Sequence, residues 1–350
     1  MCDDVGTDNA PLFLQLERPE TKPWNAIYRT TADLSDNAEL ASRFRHNGWR
    51  RRRQQIFESL KRTRQSRSRV ANFADCGATA YVYRATDDPT VFRLGGSSCR
   101  DRFCIPCAID RSRCLATNVL NALGKRPARF VTLTLRQTDK HLNDVLDKLY
   151  DSFRRLRARS FWKQRVVGGC AFIEVLYSAD NDAWNVHLHI VIHGRFLPKH
   201  ELSREWHKVT GDSFIVKVKL VENDQAVGRY VVKYVSKPFN DTFMNRKPYL
   251  DTVIATMVGR RLCVTFGDWR GIQLTESPNE REWISLGTFH DVVSRAVDND
   301  RECLRAIQTI CGDRTHEVLD EVHRARPPPT ETPIRCDQLT FGWPATDTRF

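Results

Sequence analysis

An α+β fold is predicted by three features of the sequence. Five stretches between residues 128 and 270 carry β-type patterning, an amphipathic helix interrupts them, and two of the strands lie close enough for a hairpin. "ARFVTLTLRQ" (128–137) alternates β-branched and other residues and is the first strand. "KHLNDVLDKLYDSFRRLR" (140–157) follows as a helix, because Leu142, Val145, Leu146, Leu149, Phe153 and Leu156 fall on one face at helical spacing. "GGCAFIEVLYS" (168–178) and "NVHLHIVIHG" (185–194) are the next strands, joined as a hairpin through "ADNDAW". "DSFIVKVKLV" and "RRLCVTFGDW" supply the fourth and fifth.

The chain has 350 residues, 41% of them hydrophobic, which suffices for a sizeable core. Lys and Arg number 55 against 43 Asp and Glu, a formal charge of +12 that favours a polyanionic partner, with nucleic acid the first expectation. No apolar run approaches the roughly 18 to 20 residues of a membrane helix, and "MCDDVGTDNAPLF" lacks the basic start and apolar middle of a signal peptide. The expectation is a cytoplasmic protein with no membrane partner, whose eleven cysteines are reduced thiols, so that closely spaced ones are metal ligands.

Six regions are expected. Residues 1–42 form a poorly ordered lead-in. Residues 43–70 form a basic helix, with eleven Lys and Arg against the single acid Glu58. Residues 71–115 are a cysteine-bearing, zinc-binding segment and 116–275 the main domain. Residues 276–323 are mostly helical in pattern, and 324–350 are a proline-rich tail that need not fold. Arg50, Arg51, Arg52 and Arg53 in the basic helix, with Arg100 and Arg102 in the cysteine segment, are the candidate phosphate contacts.

Cys99, Cys104 and Cys107 stand as C-x4-C-x2-C, and Cys76 precedes a glycine able to make the tight turn of a metal knuckle. Four thiolates make a closed structural zinc site; Cys114 is a weaker candidate for the fourth ligand. In "WNVHLHIVIHG", strand alternation puts His187, His189, Val191 and His193 on one face and Val186, Leu188, Ile190 and Ile192 on the other. Imidazoles two positions apart on one strand can share a divalent ion, and Glu174, a charge within the apolar "AFIEVLY" of the adjacent strand, is the expected carboxylate ligand. A histidine-triad hydrolase would need a histidine where Val191 stands.

"AVGRYVVKYVSK" gathers its chemistry as a helix. At about 100° per residue, Tyr230, Lys233, Tyr234 and Lys237 share roughly a third of the circumference, while Val231, Val232 and Val235 form an apolar stripe that lays the helix on the sheet. Both phenols would then point toward the metal. A tyrosine of pKa about 10 is a poor nucleophile at neutral pH, and a lysine ammonium three residues away lowers the cost of the phenolate.

Across residues 76–270 the chain resembles the HUH superfamily of single-strand endonucleases, and more closely the rolling-circle replication initiators of small plasmids and DNA phages. "FVTLTLRQ", "HLHIVIHG" and "YVVKYVSK" are similar to that family's first, metal-binding and nucleophile motifs, in its order. The upstream cysteine pattern is similar to the segment preceding the nuclease domain in many plasmid initiators. The resemblance implies an antiparallel five-stranded sheet with flanking helices, split-RRM-like, and a Mg2+ or Mn2+ ion for nicking. It makes His187 and His189 ligands of that ion and Tyr234, heading YxxK with Lys237, the principal nucleophile; Tyr230 acts as a second if the two-tyrosine phage pattern holds. The implied enzyme nicks and rejoins single-stranded origin DNA through a 5′-phosphotyrosine. The sequence contains no G-x4-G-K-[ST] P-loop, so a host helicase would open the duplex and a host DNA polymerase extend the 3′ end. A transposase or relaxase would use the same site on different DNA, whereas a zinc-containing DNA-binding repressor would need neither the phenols nor the histidines.

Overall fold

The computed structural model describes residues 36–221, 223–235, 241–275 and 281–325. Its centre is a five-stranded sheet in the order β6-β3-β5-β4-β7, antiparallel throughout. The strands are β3 (Ala128–Thr134), β4 (Val166–Ser178), β5 (Ala183–Gly194), β6 (Val216–Leu220) and β7 (Cys263–Gly267). These are the five expected stretches, and β4 and β5 form the expected hairpin, with Ser178 opposite Ala183 at its tip.

Period-2 alternation sends apolar residues of the central strands to both faces, so the sheet is covered on both sides. Val131, Leu133, Ile173, Val186, Leu188 and Ile190 join one core with α5 (Leu142–Ala158) and α7 (Lys199–Thr210). The buried stripe of α5 contains the six residues expected from its periodicity, and Ser152 besides. Phe130, Cys170, Phe172 and Val191 face the other way, under α4 (Ile105–Leu123) and α8 (Asp224–Val235). Between these elements lie α6 (Ser160–Arg165), α9 (Asp241–Met244) and α10 (Lys247–Thr256).

A second core was not legible in the sequence. Strands β1 (Ala80–Ala85), β2 (Phe92–Gly96) and β8 (Trp283–Thr288) make a three-stranded sheet in the order β2-β1-β8. It packs with α1 (Asp36–Arg45), α11 (Phe289–Val297), α12 (Arg301–Cys311) and α13 (Thr315–Ala325) around Leu40, Val82, Phe289, Val293, Ile307 and Val318.

Two boundary expectations are corrected by this arrangement, and a third is refined. The lead-in ends earlier than residue 42, because Leu40 and Ala41 of α1 are buried in the second core. The basic run is not one helix: Gly48, at φ +80°, interrupts it after α1, and α2 (Arg50–Arg62) gives way to α3 (Arg67–Ala74) through Arg64 at φ +51°. The hydroxyl of Ser66 then caps α3 by accepting the Arg69 N–H at 3.3 Å. The region from 276 onward is mostly helical, as expected, and contributes one strand besides: β8 pairs with β1 about two hundred residues away in sequence. The rest of the lead-in (1–35) and the tail from 326 lie outside the described residues.

Candidate functional site

The sheet face beneath α8 carries the histidines. On β5, His187 and His189 stand opposite Thr134 and Thr132 of β3, and Glu174 of β4 stands opposite His187. The Thr134 hydroxyl lies 3.0 Å from His187 Nδ1, and the Thr132 hydroxyl 3.3 Å from His189 Nδ1. Glu174 Oε2 is 2.6 Å from His189 Nε2, and both side chains are buried, at 3% and 5% exposure. An ionised carboxylate only accepts, so His189 Nε2 carries the proton of that bond. In the neutral imidazole Nδ1 is then the acceptor, and it faces the hydroxyl of Tyr230 at 3.3 Å. Tyr230, His189 and Glu174 thus form a phenol–imidazole–carboxylate chain, the order in which a general base activates a hydroxyl nucleophile.

Helix α8 owes its position to Val227 and Val231, one turn apart and fully buried against α4. Val231 of the expected stripe is buried, Val227 joins it, and the side chains of Val232 and Val235 lie outside the described residues. Tyr230 borders the buried row, and its ring stacks on Phe130 at 3.8 Å between centroids and 4° between planes. The stack aims its hydroxyl at the histidine face. Lys233 is exposed. Tyr234 belongs to the helix one turn beyond Tyr230, but its side chain, and the whole of Lys237, lie outside the described residues.

Two imidazoles and a carboxylate are a donor set that suits a divalent ion. For His187, His189 and Glu174 to hold one, the Glu174–His189 hydrogen bond must open and both groups turn onto the ion. The three are less tightly gathered than the cysteines, which alone among the described residues bring three or more such donors together.

Those cysteines are Cys76, Cys99, Cys104 and Cys107, with all four sulfurs within 4.8 Å of one another. Cys76 follows α3, Cys99 follows β2, and Cys104 and Cys107 open α4. Gly77, at φ +83°, makes the turn and donates its N–H to Ser97 O at 2.9 Å, joining the two arms of the β1–β2 hairpin behind the cluster. The sulfurs of Cys76 and Cys104 are 3.7 Å apart, those of Cys76 and Cys107 3.5 Å, and those of Cys99 and Cys107 3.6 Å. Tetrahedral zinc with Zn–S bonds of about 2.3 Å needs sulfurs about 3.8 Å apart, so the fit is close. Contact with Cys104 lowers Cys76 strongly and takes Cys107 down to about 5, while Cys107 in turn raises Cys104. Cys114 is not in the cluster; its thiol meets Leu274 O, 3.8 Å away.

Two contacts to the cluster had no signature in the sequence. Arg45 Nη2 lies 3.6 Å from Cys107 Sγ and 2.7 Å from Asp110, and His46 Nε2 lies 3.7 Å from Cys104 Sγ. Both come from the end of α1, where nothing but a basic run marks them.

The candidate phosphate-binding arginines divide. Arg53 donates to Phe73 O and Ala74 O at 2.7 and 2.8 Å, and Arg102 to Met257 O and Arg260 O at 2.8 and 3.1 Å. Arg53 thus holds the end of α3, and Arg102 the C-cap of α10 and the segment that follows it, so both are engaged within the fold. Arg52 lies over the Trp49 ring at 5.7 Å, Arg50 is half-buried, and Arg51 and Arg100 are exposed.

Residues 92–286 match the model of the family described as Replication protein, more than half of the chain. A curated relative, "Protein rep" of Staphylococcus aureus, is 23% identical over 222 residues, covering 57% of this chain and 96% of the relative. No solved structure matches the chain significantly. Among the described residues no helix is long and apolar enough to cross a membrane.

Proposed function

The chain belongs to the replication protein family, and from that premise we propose that it is a rolling-circle initiator that nicks and rejoins single-stranded origin DNA through a tyrosine on α8. The observation that carries this reading is the Tyr230 hydroxyl, 3.3 Å from the Nδ1 of an imidazole whose Nε2 is held by the buried Glu174.

The phenolic oxygen attacks the scissile phosphorus in line. Its proton passes to His189, the bond from phosphorus to the 3′ oxygen breaks, and that oxygen takes a proton from water and leaves as a free hydroxyl. The 5′ phosphate stays on the tyrosine, and attack by a 3′ hydroxyl reverses the step and rejoins the strand. Tyr230 has its hydroxyl on the histidine face; Tyr234, one turn on and spaced as YxxK with Lys237, is the second candidate nucleophile. His187, His189 and Glu174 would hold a Mg2+ or Mn2+ ion in a second arrangement, with the Glu174–His189 hydrogen bond open; the ion would supply Lewis-acid polarisation of the phosphodiester, and the phenol's proton would then pass to water instead of His189. The four cysteines hold a structural zinc ion that ties α3, β2 and α4 together. Lys233, on the exposed side of α8, and Arg51 and Arg100 meet the DNA backbone. A host helicase and DNA polymerase complete replication from the 3′ end.

Covalent trapping tests the proposal. Incubated with Mn2+ and single-stranded DNA from its own replicon, the protein should run as a denaturation-resistant protein–DNA adduct. Failure to form one with either ion removes the nuclease reading.

A further inference from the structure

The edge of the central sheet carries a second feature that the nicking chemistry does not use. Between α7 and the loop entering β6 lies a groove of about 350 Å3, lined by Ser203, Arg204, His207, Lys208 and Phe214. Phe214 is 62% exposed and its neighbour Ile215 55%. A large aromatic in water is unfavourable unless something covers it.

Its exposure does not come from a slack loop. Gly211 closes α7 in the left-handed conformation, the Thr210 hydroxyl accepts the Ser213 N–H at 3.0 Å, and Ser213 Oγ accepts the Arg136 N–H at 2.9 Å. Ser203 donates its hydroxyl to Phe214 O. The ring is therefore held out from a pinned backbone.

The surroundings are cationic. Glu205 is neutralised by Lys208 and Arg159, and Asp212 by Lys148, which leaves the exposed Arg204 to set the charge of the groove. Further along the same edge, Lys217 and Lys219 lie opposite Thr132 and Phe130, on the side of the sheet that carries the histidines, and both are exposed. Lysines on an open edge strand oppose pairing with another strand, so a second copy adding to β6 fits poorly.

The groove opens on the α7 side of the sheet, opposite the histidine face, and the β6 edge separates it from the candidate site. Ile215 O accepts the Thr134 N–H at 3.1 Å, and the Thr134 hydroxyl meets His187 Nδ1 at 3.0 Å. Strands β5 and β6 are two strand spacings apart, about 10 Å, a gap that a few nucleotides span.

We propose that the α7–β6 groove is a single-stranded DNA subsite, in which a base flanking the cleavage position stacks on Phe214 while Arg204, His207, Lys217 and Lys219 follow the backbone over the β6 edge. This rests on the proposed nicking function and adds to it a route for the flanking strand. A duplex has no free base face to offer Phe214, whereas a single strand offers one at every nucleotide.

The test uses the full chain and fluorescein-labelled oligo(dT) of twenty nucleotides. By fluorescence anisotropy, Phe214→Ala should weaken binding about tenfold, within the range for loss of one base–aromatic stack. Phe214→Trp should stay within about twofold of the parent protein, and Arg204→Ala should flatten the salt dependence. A single 5-iodouracil walked along the oligonucleotide should cross-link to the peptide containing Phe214 from at least one position. Parent-like affinity in Phe214→Ala, or cross-links confined to other peptides, overturns the subsite. Adduct formation by the parent protein reads the nicking proposal separately, so the failure of one is distinguishable from the failure of the other.

Discussion

The hydroxyl of Tyr230 lies 3.3 Å from His189 Nδ1, across the interface between a helix and a sheet that are forty-one residues apart in sequence. Each partner is held by something else: the phenol ring by its stack on Phe130, the imidazole by Glu174 and Thr132. A hydroxyl that reaches a base held in this way is poised for deprotonation, which contributes about 10²- to 10⁴-fold to a rate.

Tyr230→Phe keeps the ring on Phe130 and removes only the hydroxyl. The yield of covalent adduct on single-stranded DNA should fall at least about 100-fold, with the thermal midpoint nearly unchanged. Unchanged yield in Tyr230→Phe, with loss in Tyr234→Phe, would move the nucleophile one turn along α8. His189→Ala and Glu174→Gln should each slow adduct formation by a similar factor at saturating Mn2+, measured in single-turnover gels.

The cysteine cluster makes a separate prediction. Purified protein should contain one zinc per chain by plasma mass spectrometry, and Cys76→Ser or Cys104→Ser should lose it. Cys114→Ser, whose thiol meets Leu274 O away from the cluster, should keep it. Because metal binding to such a site is folding free energy, chelation should lower the thermal midpoint by several degrees. A midpoint indifferent to chelator would count against a structural ion.

How far the sequence carries depends on which contacts are local. The alternation of β5 was legible because period 2 is a property of the strand itself, and it placed His187 and His189 on one face without tertiary information. The stripe of α5 was legible for the same reason. Strands β1 and β8 were not, because both are short and they pair with each other about two hundred residues apart in sequence, although β1 also forms a local hairpin with β2. Arg45 and His46 reach the cysteines across 62 and 58 residues, a relationship that only packing creates. Val231 of the stripe on α8 was legible, but Val227 was not, because sequence spacing does not reveal that α4 lies against the helix.

The arginines are separable by experiment. Arg102→Ala removes two hydrogen bonds, one to the C-cap carbonyl of α10 and one to Arg260 O beyond it, and should cost about 1–3 kcal/mol of stability in urea unfolding, with little change in DNA affinity once folded. Arg51→Ala, at an exposed position, should do the reverse: unchanged stability, weaker binding, and a salt slope shallower by about one. If Arg51→Ala leaves the slope unaltered, α2 does not meet the DNA backbone.

A last prediction concerns acid stability. Asp251 of α10 accepts both guanidinium nitrogens of Arg62 at 2.9 Å and the Ser59 hydroxyl, which fastens α2 to α10. Burial opposes ionisation of Asp251, but the hydrogen bonds from Arg62 and Ser59 outweigh it, and the folded-state pKa is lowered. A carboxylate whose pKa is lower when folded stabilises the fold above its unfolded pKa of about 3.9, and that contribution disappears as pH falls through the folded value. Asp251→Asn should therefore reduce stability at pH 7 by about 1–2 kcal/mol, and the difference from the parent protein should shrink steadily below about pH 4. Urea titrations at pH 7, 5 and 3 measure this directly. A difference constant across the three would mean that the charge of Asp251 contributes nothing and that only the shape of the side chain matters at that contact.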